Sequence, residues 1–326
     1  MKVVMTGGNG FIGRRLARRL LGADGLGGER VDRLVLFDIA RLDDDLARDP
    51  RIEQVTGDIG DAATPSNVID AETTAVFHFG AVVSAGAEAD FDLGMRVNLD
   101  GTRNVLEACR RLPKPPRVVF ASSLAVYGGP LPAVIDDTTP LYPQTSYGVH
   151  KACGELLVSD YSRKGFIDGR ALRFPTILVR PEPNLAASTF ASTIIREPLL
   201  GRDTSCPVDL ASRMAVMSVA RLIACIVRAY ELPASAFGVQ RALLLPAISA
   251  SVAEMIAAVQ RVGGAAAAER IALRPDPKTQ HIVDGWPGGV RAARAEQLGM
   301  RADTTVDEIV DTFVRQDLPG MLAGAR

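Results

Sequence analysis

The stretch Lys2-Val-Val-Met-Thr-Gly-Gly-Asn-Gly-Phe-Ile-Gly13 decides the fold of this 326-residue chain. A short apolar run leads directly into a turn with glycines at positions 7, 10 and 13, and an amphipathic helical pattern follows. The first glycine permits a tight turn, the second lets the backbone approach a pyrophosphate, and the third lets the helix pack closely on the strand. The segment therefore predicts a strand, a turn and a helix whose N-terminus faces a dinucleotide. The predicted contacts are made by Gly7, Asn9, Gly10, Phe11, Ile12 and Gly13.

Carboxylates at the ends of the next two apolar runs extend this prediction. The second run ends at Asp38, twenty-five residues beyond Gly13. A carboxylate there accepts hydrogen bonds from the adenosine ribose hydroxyls and repels a 2′-phosphate, so the pattern predicts NAD rather than NADP. Asp58 and Ile59 follow the third run, where a carboxylate and an apolar side chain can border the adenine. A plain turn is the alternative for that pair.

The first half of the chain alternates apolar runs with helical patterns. The runs are KVVMTG, RLVLFD, RIEQVTGDI, TAVFHFGA, PRVVFASS and RALRFPTIL. They are mostly apolar without strict alternation, as expected for strands covered by helices on both faces. This predicts an α/β fold with a doubly wound parallel (Rossmann) sheet and a smaller C-terminal substrate-binding domain. We expect ligand in a cleft beyond the carboxyl ends of the strands.

The second half of the chain predicts the smaller domain. Helical patterns lie near residues 188–200 and 219–230, and in SVAEMIAAVQRV and TTVDEIVDTFVRQ; ALLLP predicts a strand and RPDPKTQHIVDGWPGG a polar connection. The predicted boundaries are residues 1–178 for the NAD-binding domain, to which 215–246 return. Residues 179–214 and 247–326 are assigned to the substrate-binding domain.

Composition excludes several classes of partner. The chain is 47% apolar, and its Lys+Arg 37 against Asp+Glu 38 leave a net charge of −1, which argues against nucleic acid and anionic membranes as partners. No apolar run is long enough to span a bilayer, and the glycine turn comes too early for a signal peptide, so a cytoplasmic location is predicted. The scattered cysteines and histidines predict neither a disulfide framework nor a metal site.

Two further segments indicate the chemistry. ASSLAVYG, residues 121–128, ends the fifth run, and Tyr147-Gly-Val-His-Lys151 opens a helix. Tyr147 and Lys151 are four residues apart and share one helical face. A phenol has an ordinary pKa of about 10, and an adjacent ammonium favours its phenolate. Ser123, at the end of a strand, can hold a substrate oxygen beside that phenolate. Together with the glycine turn, the three side chains predict hydride transfer with Tyr147 as acid/base.

With these motifs the sequence resembles the extended short-chain dehydrogenase/reductase superfamily, whose members carry TGxxGxxG, a serine strand ending in VYG and a YxxxK helix. The resemblance covers nearly the whole chain. It implies that Ser122 neighbours the cofactor and that Asn98 helps to organise the site around it. It also implies cofactor contacts by Phe79, Gly80, Ala81, Pro175, Thr176 and Ile177. Helices that match residues 91–111 and 147–163 commonly pair across a homodimer in this superfamily, so a homodimer is expected.

The substrate class is narrowed by a closer resemblance. Superfamily members usually act on nucleotide sugars, but Leu124 and Ala125 stand where dehydratases carry Asp-Glu, which argues against dehydration. Residues 89–102, 121–132, 162–176 and 191–199 resemble the D-erythronate dehydrogenase family. That resemblance implies NAD-dependent oxidation of the 2-hydroxyl of a small sugar acid. Two departures, a shortened RPEPN segment and Ala215 in place of a tryptophan, leave the identity of the acid open.

A sugar acid needs a cation for its carboxylate and hydroxyl partners for its diol. The candidate substrate-binding residues are Ser84, Ser123, Tyr147, Arg180, Asn184 and Arg196. A structural ion pair is the alternative for Arg180, and Arg173, within a strand, is interpreted as half of a buried structural pair. Two rival functions stay open. One is a nucleotide-sugar 4-epimerase that uses tightly bound NAD, and the other is a non-catalytic NAD-sensing protein.

Overall fold

The computed structural model describes residues 1–23, 25–41, 45–183 and 186–324. The strands, in chain order, are β1 (Lys2–Thr6), β2 (Arg33–Asp38), β3 (Ile52–Thr56), β4 (Thr73–His78), β5 (Arg117–Ser123), β6 (Ile135–Asp136), β7 (Asp168–Phe174), β8 (Thr176–Leu178), β9 (Thr204–Cys206), β10 (Arg213–Ser218), β11 (Ala242–Leu244), β12 (Ile248–Ser251), β13 (Ile271–Leu273) and β14 (Val290–Arg291).

The helices, in the same order, are α1 (Phe11–Leu20), α2 (Ala63–Val68), α3 (Ser84–Ala89), α4 (Phe91–Gly94), α5 (Gly101–Arg110), α6 (Ser146–Arg163), α7 (Thr189–Leu199), α8 (Val219–Glu231), α9 (Val252–Gly263), α10 (Ala265–Ala268), α11 (Pro277–Asp284), α12 (Ala293–Gln297), α13 (Val306–Gln316) and α14 (Leu318–Gly324). A π-helical turn, Met95–Asp100, joins α4 to α5. It carries Asn98, one of the predicted site residues.

The main sheet has the strand order β11-β7-β5-β4-β1-β2-β3. The pairings of β1 with β2 and β4, of β2 with β3, and of β4 with β5 are all parallel. The order reverses direction at β1, from which the chain moves first towards β3 and then back to β4. In open sheets of this kind ligands bind beyond the carboxyl ends of the strands at that switch point. The glycine turn follows β1 and therefore lies there.

The first compact unit comprises residues 1–126, 145–173 and 223–243. Of its strands, β1 is buried at every position, and β2, β4 and β5 are buried at most of theirs. Val4, Phe37, Val76, Val118 and Phe120 form part of its core. Burial on both faces of the sheet explains why these strands read as continuous apolar runs rather than as alternating ones.

The second compact unit comprises residues 127–144, 174–222 and 244–326. It contains a three-stranded sheet of order β12-β10-β8 and the two-stranded pairs β13-β9 and β14-β6. Helices α7, α9 and α13 contribute Ile194, Met255, Ile309 and Phe313 to its core. Trp286 packs against this cluster.

The predicted fold class is confirmed, and several local features differ from the predictions. RALRFPTIL is divided at Pro175, because β7 ends there and β8 joins a different sheet. Six strands of the second unit were not predicted, namely β6, β9, β10, β12, β13 and β14. The polar connection near residue 280 contains α11, whose first turn is capped by Asp276, with Pro277 at its start.

Candidate active site

The glycine turn between β1 and α1 is shaped by contacts that leave no room for side chains. Gly7 has a φ of +66°, and a Cβ there would lie 2.7 Å from the backbone nitrogen of Gly80. A Cβ on Gly13 would lie 2.4 Å from the Gly8 carbonyl oxygen. Helix α1 begins after Gly10 without a side-chain cap or an acidic residue in its first turn. The N–H groups of that turn can therefore bind an anion.

Asn9 and Asp38 join the glycine turn to the end of β2. Asp38 accepts hydrogen bonds from the backbone N–H groups of Asn9, at 3.0 Å, and of Ala40, at 3.4 Å. Asn9 Nδ2 donates to the Ala40 carbonyl at 2.5 Å, while Asn9 Oδ1 is buried without a partner. A carboxylate has about four acceptor sites, so Asp38 keeps capacity for ribose hydroxyls. Because buried polar atoms are normally paired, the orphaned Oδ1 also fits a ligand donor. The turn thus fits the predicted dinucleotide.

The second predicted carboxylate has a partner that the sequence did not indicate. Asp58 forms an ion pair with Arg96 and accepts a hydrogen bond from Gly60 N at 2.8 Å. The Arg96 guanidinium holds the pKa of Asp58 below its usual range. Ile59 is buried, and a Cβ on Gly80 would lie 3.1 Å from its Cδ1. The two residues that we predicted to border the adenine are therefore held by an ion pair and by packing.

A directed chain of hydrogen bonds crosses the first unit through His78. Gly80 N donates to Thr6 Oγ1, which lies 2.6 Å from His78 Nδ1. His78 Nε2 lies 3.0 Å from Thr102 Oγ1, which donates to the Asn98 carbonyl at 2.6 Å. Since the Thr102 hydrogen goes to that carbonyl, His78 carries its proton on Nε2 and accepts at Nδ1. Burial lowers the pKa of His78 to about 3, so the ring is neutral.

Asn98 and its neighbours order the segment that follows β4. The Asn98 side chain accepts from Val82 N at 2.8 Å and donates to Val82 O at 3.0 Å. It therefore acts on the backbone of that segment. Phe79, Gly80 and Ala81, which precede Val82, are half-buried, and Ser84 begins α3.

Ser123 ends β5, and its hydroxyl has a defined orientation. Its Oγ accepts a hydrogen bond from Ala125 N at 3.1 Å, and the side chain is half-buried. Since the oxygen accepts from the backbone, the hydroxyl hydrogen remains for donation to a substrate oxygen. The preceding Ser122 points to a different partner, the buried carboxylate of Glu155.

Tyr147 and Lys151 lie on the first turns of α6. Thr145 caps this helix by accepting from Gly148 N at 3.1 Å, and the Ser146 N–H donates to Glu88 at 3.0 Å. Lys151 Nζ lies 5.6 Å from the centroid of the Tyr147 ring. The helix start is thus fixed by two independent contacts, and the ammonium lies beside the phenol, as four-residue spacing requires.

Lys151 is a buried lysine with an unusual environment. It is 4% exposed, and its Nζ lies 4.7 Å above the Phe120 ring centroid. Burial lowers the pKa of Lys151 to about 7, and the negative charge of Glu155 opposes this effect. A lysine that titrates near neutral pH is typical of sites in which proton transfer is tuned. The field of this ammonium acts more strongly on the neighbouring phenol than it would in water, because Lys151 is buried.

In the second unit the predicted residues have different surroundings. Thr176 and Ile177 belong to β8, which pairs with β10, and Pro175 precedes them as a buried residue. Arg180 is half-buried, whereas Arg196 is 2% exposed. Asn184 lies outside the described residues.

The guanidinium of Arg196 is occupied by protein groups. It donates to Glu197 at 2.6 Å and to the Arg180 carbonyl at 2.7 Å, while Ser192 Oγ accepts from Arg180 N at 3.0 Å. Helix α7 therefore holds the backbone of Arg180 from both sides. These contacts compete with the carboxylate role that we predicted for Arg196.

Several features of this site were missed from the sequence. Arg96, His78 and Glu155 were not predicted, although each contacts a predicted site residue or its immediate neighbour. Arg173 pairs with Glu155 through a contact of 2.7 Å, as its interpretation as a buried structural residue predicted. All four cysteines are thiols. Within the described ranges there is no metal-binding group of three His, Cys, Asp or Glu, and no helix long and apolar enough to cross a membrane.

The geometry can be compared with known proteins. Residues 3–238 match the model of the NAD dependent epimerase/dehydratase family. The chain belongs to this family. Membership confirms the predicted superfamily resemblance, and it confirms NAD as the cofactor to which the glycine turn and Asp38 pointed. The family includes both epimerases and dehydratases, so membership by itself leaves the reaction to be decided by closer relatives.

Two curated relatives within the family are similar over almost their entire length. D-erythronate dehydrogenase from Cupriavidus necator is 49% identical over 96% of this chain and 98% of its own. D-erythronate dehydrogenase from Haemophilus influenzae is 40% identical over 98% of this chain and 100% of its own. The crystal structure of a nucleoside-diphosphate-sugar epimerase from Agrobacterium tumefaciens has a TM-score of 0.93 and 37% identity, and covers 99% of this chain and 96% of its own.

Proposed function

We propose that this protein is an NAD-dependent dehydrogenase that oxidises the 2-hydroxyl of a small sugar acid, D-erythronate, to the 2-keto acid. The observation that carries the proposal is the 49% identity to a D-erythronate dehydrogenase over nearly the whole of both chains. The arrangement of Tyr147 and Lys151 on one helix, with Ser123 on the adjoining strand β5, supports catalysis rather than NAD sensing. A sensor has no need of that set.

In the proposed reaction Tyr147, as phenolate, takes the proton of the 2-hydroxyl. The Lys151 ammonium stabilises that phenolate, and Ser123 donates a hydrogen bond to the substrate oxygen. When bound, NAD supplies the hydride acceptor, so that the carbon–hydrogen bond breaks as the carbonyl forms. The residues proposed to hold NAD are Gly7, Asn9, Gly10, Phe11, Ile12, Gly13, Asp38, Asp58, Ile59, Phe79, Gly80, Ala81, Asn98, Ser122, Tyr147, Lys151, Pro175, Thr176 and Ile177.

An absorbance assay tests this function directly. Purified protein with NAD and D-erythronate should produce NADH, and NADP should support a much lower rate because Asp38 repels a 2′-phosphate. The screen should include D-threonate, L-threonate and acids of five and six carbons, with the corresponding sugars as controls that lack the carboxylate. No NADH with any acid would contradict the proposal.

The alternative is a nucleotide-sugar 4-epimerase, which the similarity to the Agrobacterium tumefaciens structure favours. An epimerase reduces and reoxidises its own cofactor, so no NADH accumulates. The same preparation should be incubated with UDP-glucose and UDP-galactose, and the sugars separated by chromatography. Interconversion of the two sugars without accumulation of NADH would establish the alternative.

Arg180 is our proposed ligand for the substrate carboxylate. We predict that Arg180→Met raises the KM for the sugar acid about 10- to 100-fold, since a hydrogen bond to a charged group contributes about 1.5–3 kcal/mol. The KM for NAD should stay within about twofold, because Arg180 is not among the residues proposed to hold the cofactor. Steady-state kinetics with each substrate varied in turn measure both constants.

Arg196→Met is the matched control for that variant. It removes a guanidinium that is occupied by Glu197 and the Arg180 carbonyl, so it should lower the melting temperature and change several kinetic constants together. Arg180→Lys keeps a cation and should recover part of the affinity for the acid. An unchanged KM for the acid in Arg180→Met would show that this residue does not bind the carboxylate.

The remaining expectations from the sequence are also proposals. We propose that α5 and α6 form a homodimer interface, and the exposure of Val149 and Leu156, 44% and 70%, supports it. Sedimentation velocity would reveal a monomer if this is wrong.

We also propose a cytoplasmic location. The proposed domain division is an NAD-binding domain of residues 1–178 with 215–246, and a substrate-binding domain formed by the remaining residues. Ser84 and Asn184 remain proposed contacts of the substrate diol.

A further inference from the structure

The carboxylate of Glu155 joins three elements of the first unit. Glu155 lies on α6, one turn beyond Lys151 and two turns beyond Tyr147, so the three share a helical face. Its Oε1 accepts a hydrogen bond from Ser122 Oγ of β5 at 2.5 Å. Arg173 of β7 donates to both of its oxygens, through Nε at 2.9 Å and Nη2 at 2.7 Å. One side chain therefore links the catalytic helix to the strand that ends in Ser123.

Stability alone does not explain this arrangement. Ser122, Glu155 and Arg173 are 2%, 3% and 5% exposed. Removing two charges from water costs several kcal/mol per ion, and apolar replacement of a buried ion pair is often neutral or stabilising. The pair is therefore better explained by what it positions. Ser122 is the residue that precedes Ser123 in β5, and Glu155 belongs to the same helix, α6, as Tyr147 and Lys151.

We propose that Glu155 is a positioning residue for the catalytic set, because its carboxylate sets the distance between Ser123 on β5 and the Tyr147–Lys151 face of α6. The proposal rests on the function proposed above. A displacement of about 1 Å of a reacting group can cost about 100-fold in rate, so the precision of such a link matters. Arg173 neutralises the carboxylate and fixes its plane through two donors, as bidentate pairs do.

Glu155 has a second effect on the same site, through its charge. Burial lowers the pKa of Lys151, and Glu155 raises it. Other groups that face Lys151 are Tyr147 on the same helix and His78 on β4, which is neutral. His150, also on α6, has its pKa lowered by burial and by Lys151 and raised by Glu88. Arg173 pairs with the Glu155 carboxylate. Loss of the carboxylate should therefore make Lys151 lose its proton at lower pH.

The test is a pair of variants that separate position from charge. Ser122→Ala removes the bridge and keeps the ion pair, so kcat should fall about 10-fold or more while the pH profile of kcat stays in place. Glu155→Gln with Arg173→Met removes both buried charges together, which avoids leaving either one unpaired. For this double variant kcat should fall as well, and the alkaline limb of the profile should move to lower pH. The KM for the acid should change less than about threefold.

A readout that needs no substrate distinguishes failure of this proposal from failure of the proposed function. Protein labelled with ¹³C at lysine Cε reports the Lys151 titration by NMR, and Lys151→Met assigns the resonance. The titration midpoint in Glu155→Gln/Arg173→Met should lie about half a pH unit or more below that of the wild type. The lost carboxylate raises the pKa of Lys151, and loss of the Arg173 cation offsets only part of the about 1–3 units that an adjacent opposite charge contributes. The expected shift holds whichever acid is the substrate.

The control is Lys2→Met with Asp70→Asn, which removes another ion pair of the first unit that has one buried member. Its kcat and its Lys151 midpoint should match the wild type. Melting temperatures identify a double variant that fails to fold, in which case Ser122→Ala decides. Wild-type kcat in Ser122→Ala, or an unmoved Lys151 midpoint in a folded double variant, would overturn the proposal.

Discussion

Tyr147→Phe should retain NAD binding and lose almost all turnover. The substitution keeps the ring beside Lys151 and removes only the oxygen that exchanges a proton with the substrate. General acid–base catalysis contributes about 10²–10⁴-fold, and we expect kcat to fall by about 10³-fold. Fluorescence titration should give a dissociation constant for NAD within about threefold of the wild type. The two measurements together locate the loss in the chemical step.

Tyr161→Phe is a control on the same helix. Tyr161 donates its hydroxyl hydrogen to Glu107, and its loss removes the same atom from a tyrosine that our mechanism does not use. Turnover of Tyr161→Phe should equal that of the wild type. A Tyr147→Phe variant with more than about a tenth of wild-type turnover would show that another group takes the proton.

Lys151→Met should have opposite effects on activity and stability. Burial lowers the pKa of Lys151 from 10.5 to about 7, so the folded state holds the neutral amine between these values while the unfolded state holds the ammonium. Folding then releases a proton, and stability from this group rises as the pH rises through that window. The free-energy cost of burying the ammonium is fully present below about pH 7, where both states carry the charge. It disappears above pH 10.5, where both states hold the neutral amine.

Methionine has nearly the same length and carries no charge, so it removes that cost. We expect the free energy of unfolding at pH 7 to increase by about 1–4 kcal/mol, from about 1.4 kcal/mol per pKa unit, and turnover to fall at least about 100-fold. Denaturant titrations between pH 6 and 10 should show the gain shrinking as the pH rises. Lys164→Met, an exposed lysine that follows α6, should show no such trend. A Lys151→Met protein less stable than the wild type at pH 7 would contradict the expectation.

Local patterns explain why the fold could be predicted. The glycine spacing around Gly10 reflects contacts between one strand, one turn and one helix that are adjacent in sequence. In the structure, a Cβ added at Gly7 or Gly13 would clash with neighbouring backbone. The apolar runs marked the central strands, because burial on both faces requires such runs. The pair formed by Tyr147 and Lys151 could also be predicted, since helical geometry alone brings them together.

The parts that were missed depend on distant segments of the chain. Glu155 and His78 make their contacts across several elements, and neither residue type reveals its partner from sequence spacing. Strand β10 passes directly into α8, so the apolar residues of β10 fit the two-residue period of a strand and the 3.6-residue period of a helix equally well. Helix α11 did have a local signal, Asp276 followed by Pro277, which is typical of a helix start.

The hydrogen-bond chain through His78 also determines how the segments around the glycine turn respond to acidity. It starts at a backbone N–H, which cannot accept, and ends at a carbonyl, which cannot donate. Protonation of the imidazole would place a hydrogen on Nδ1 and reverse its hydrogen bond with Thr6 Oγ1, and that event is postponed to about pH 3. The glycine turn and the segment after β4, two of the segments that we propose to hold NAD, should consequently be insensitive to the protonation of His78 across the physiological range. Acidity is sensed instead at Lys151, which we propose both to hold NAD and to stabilise the phenolate, so changes of rate or of cofactor affinity near neutral pH should originate there.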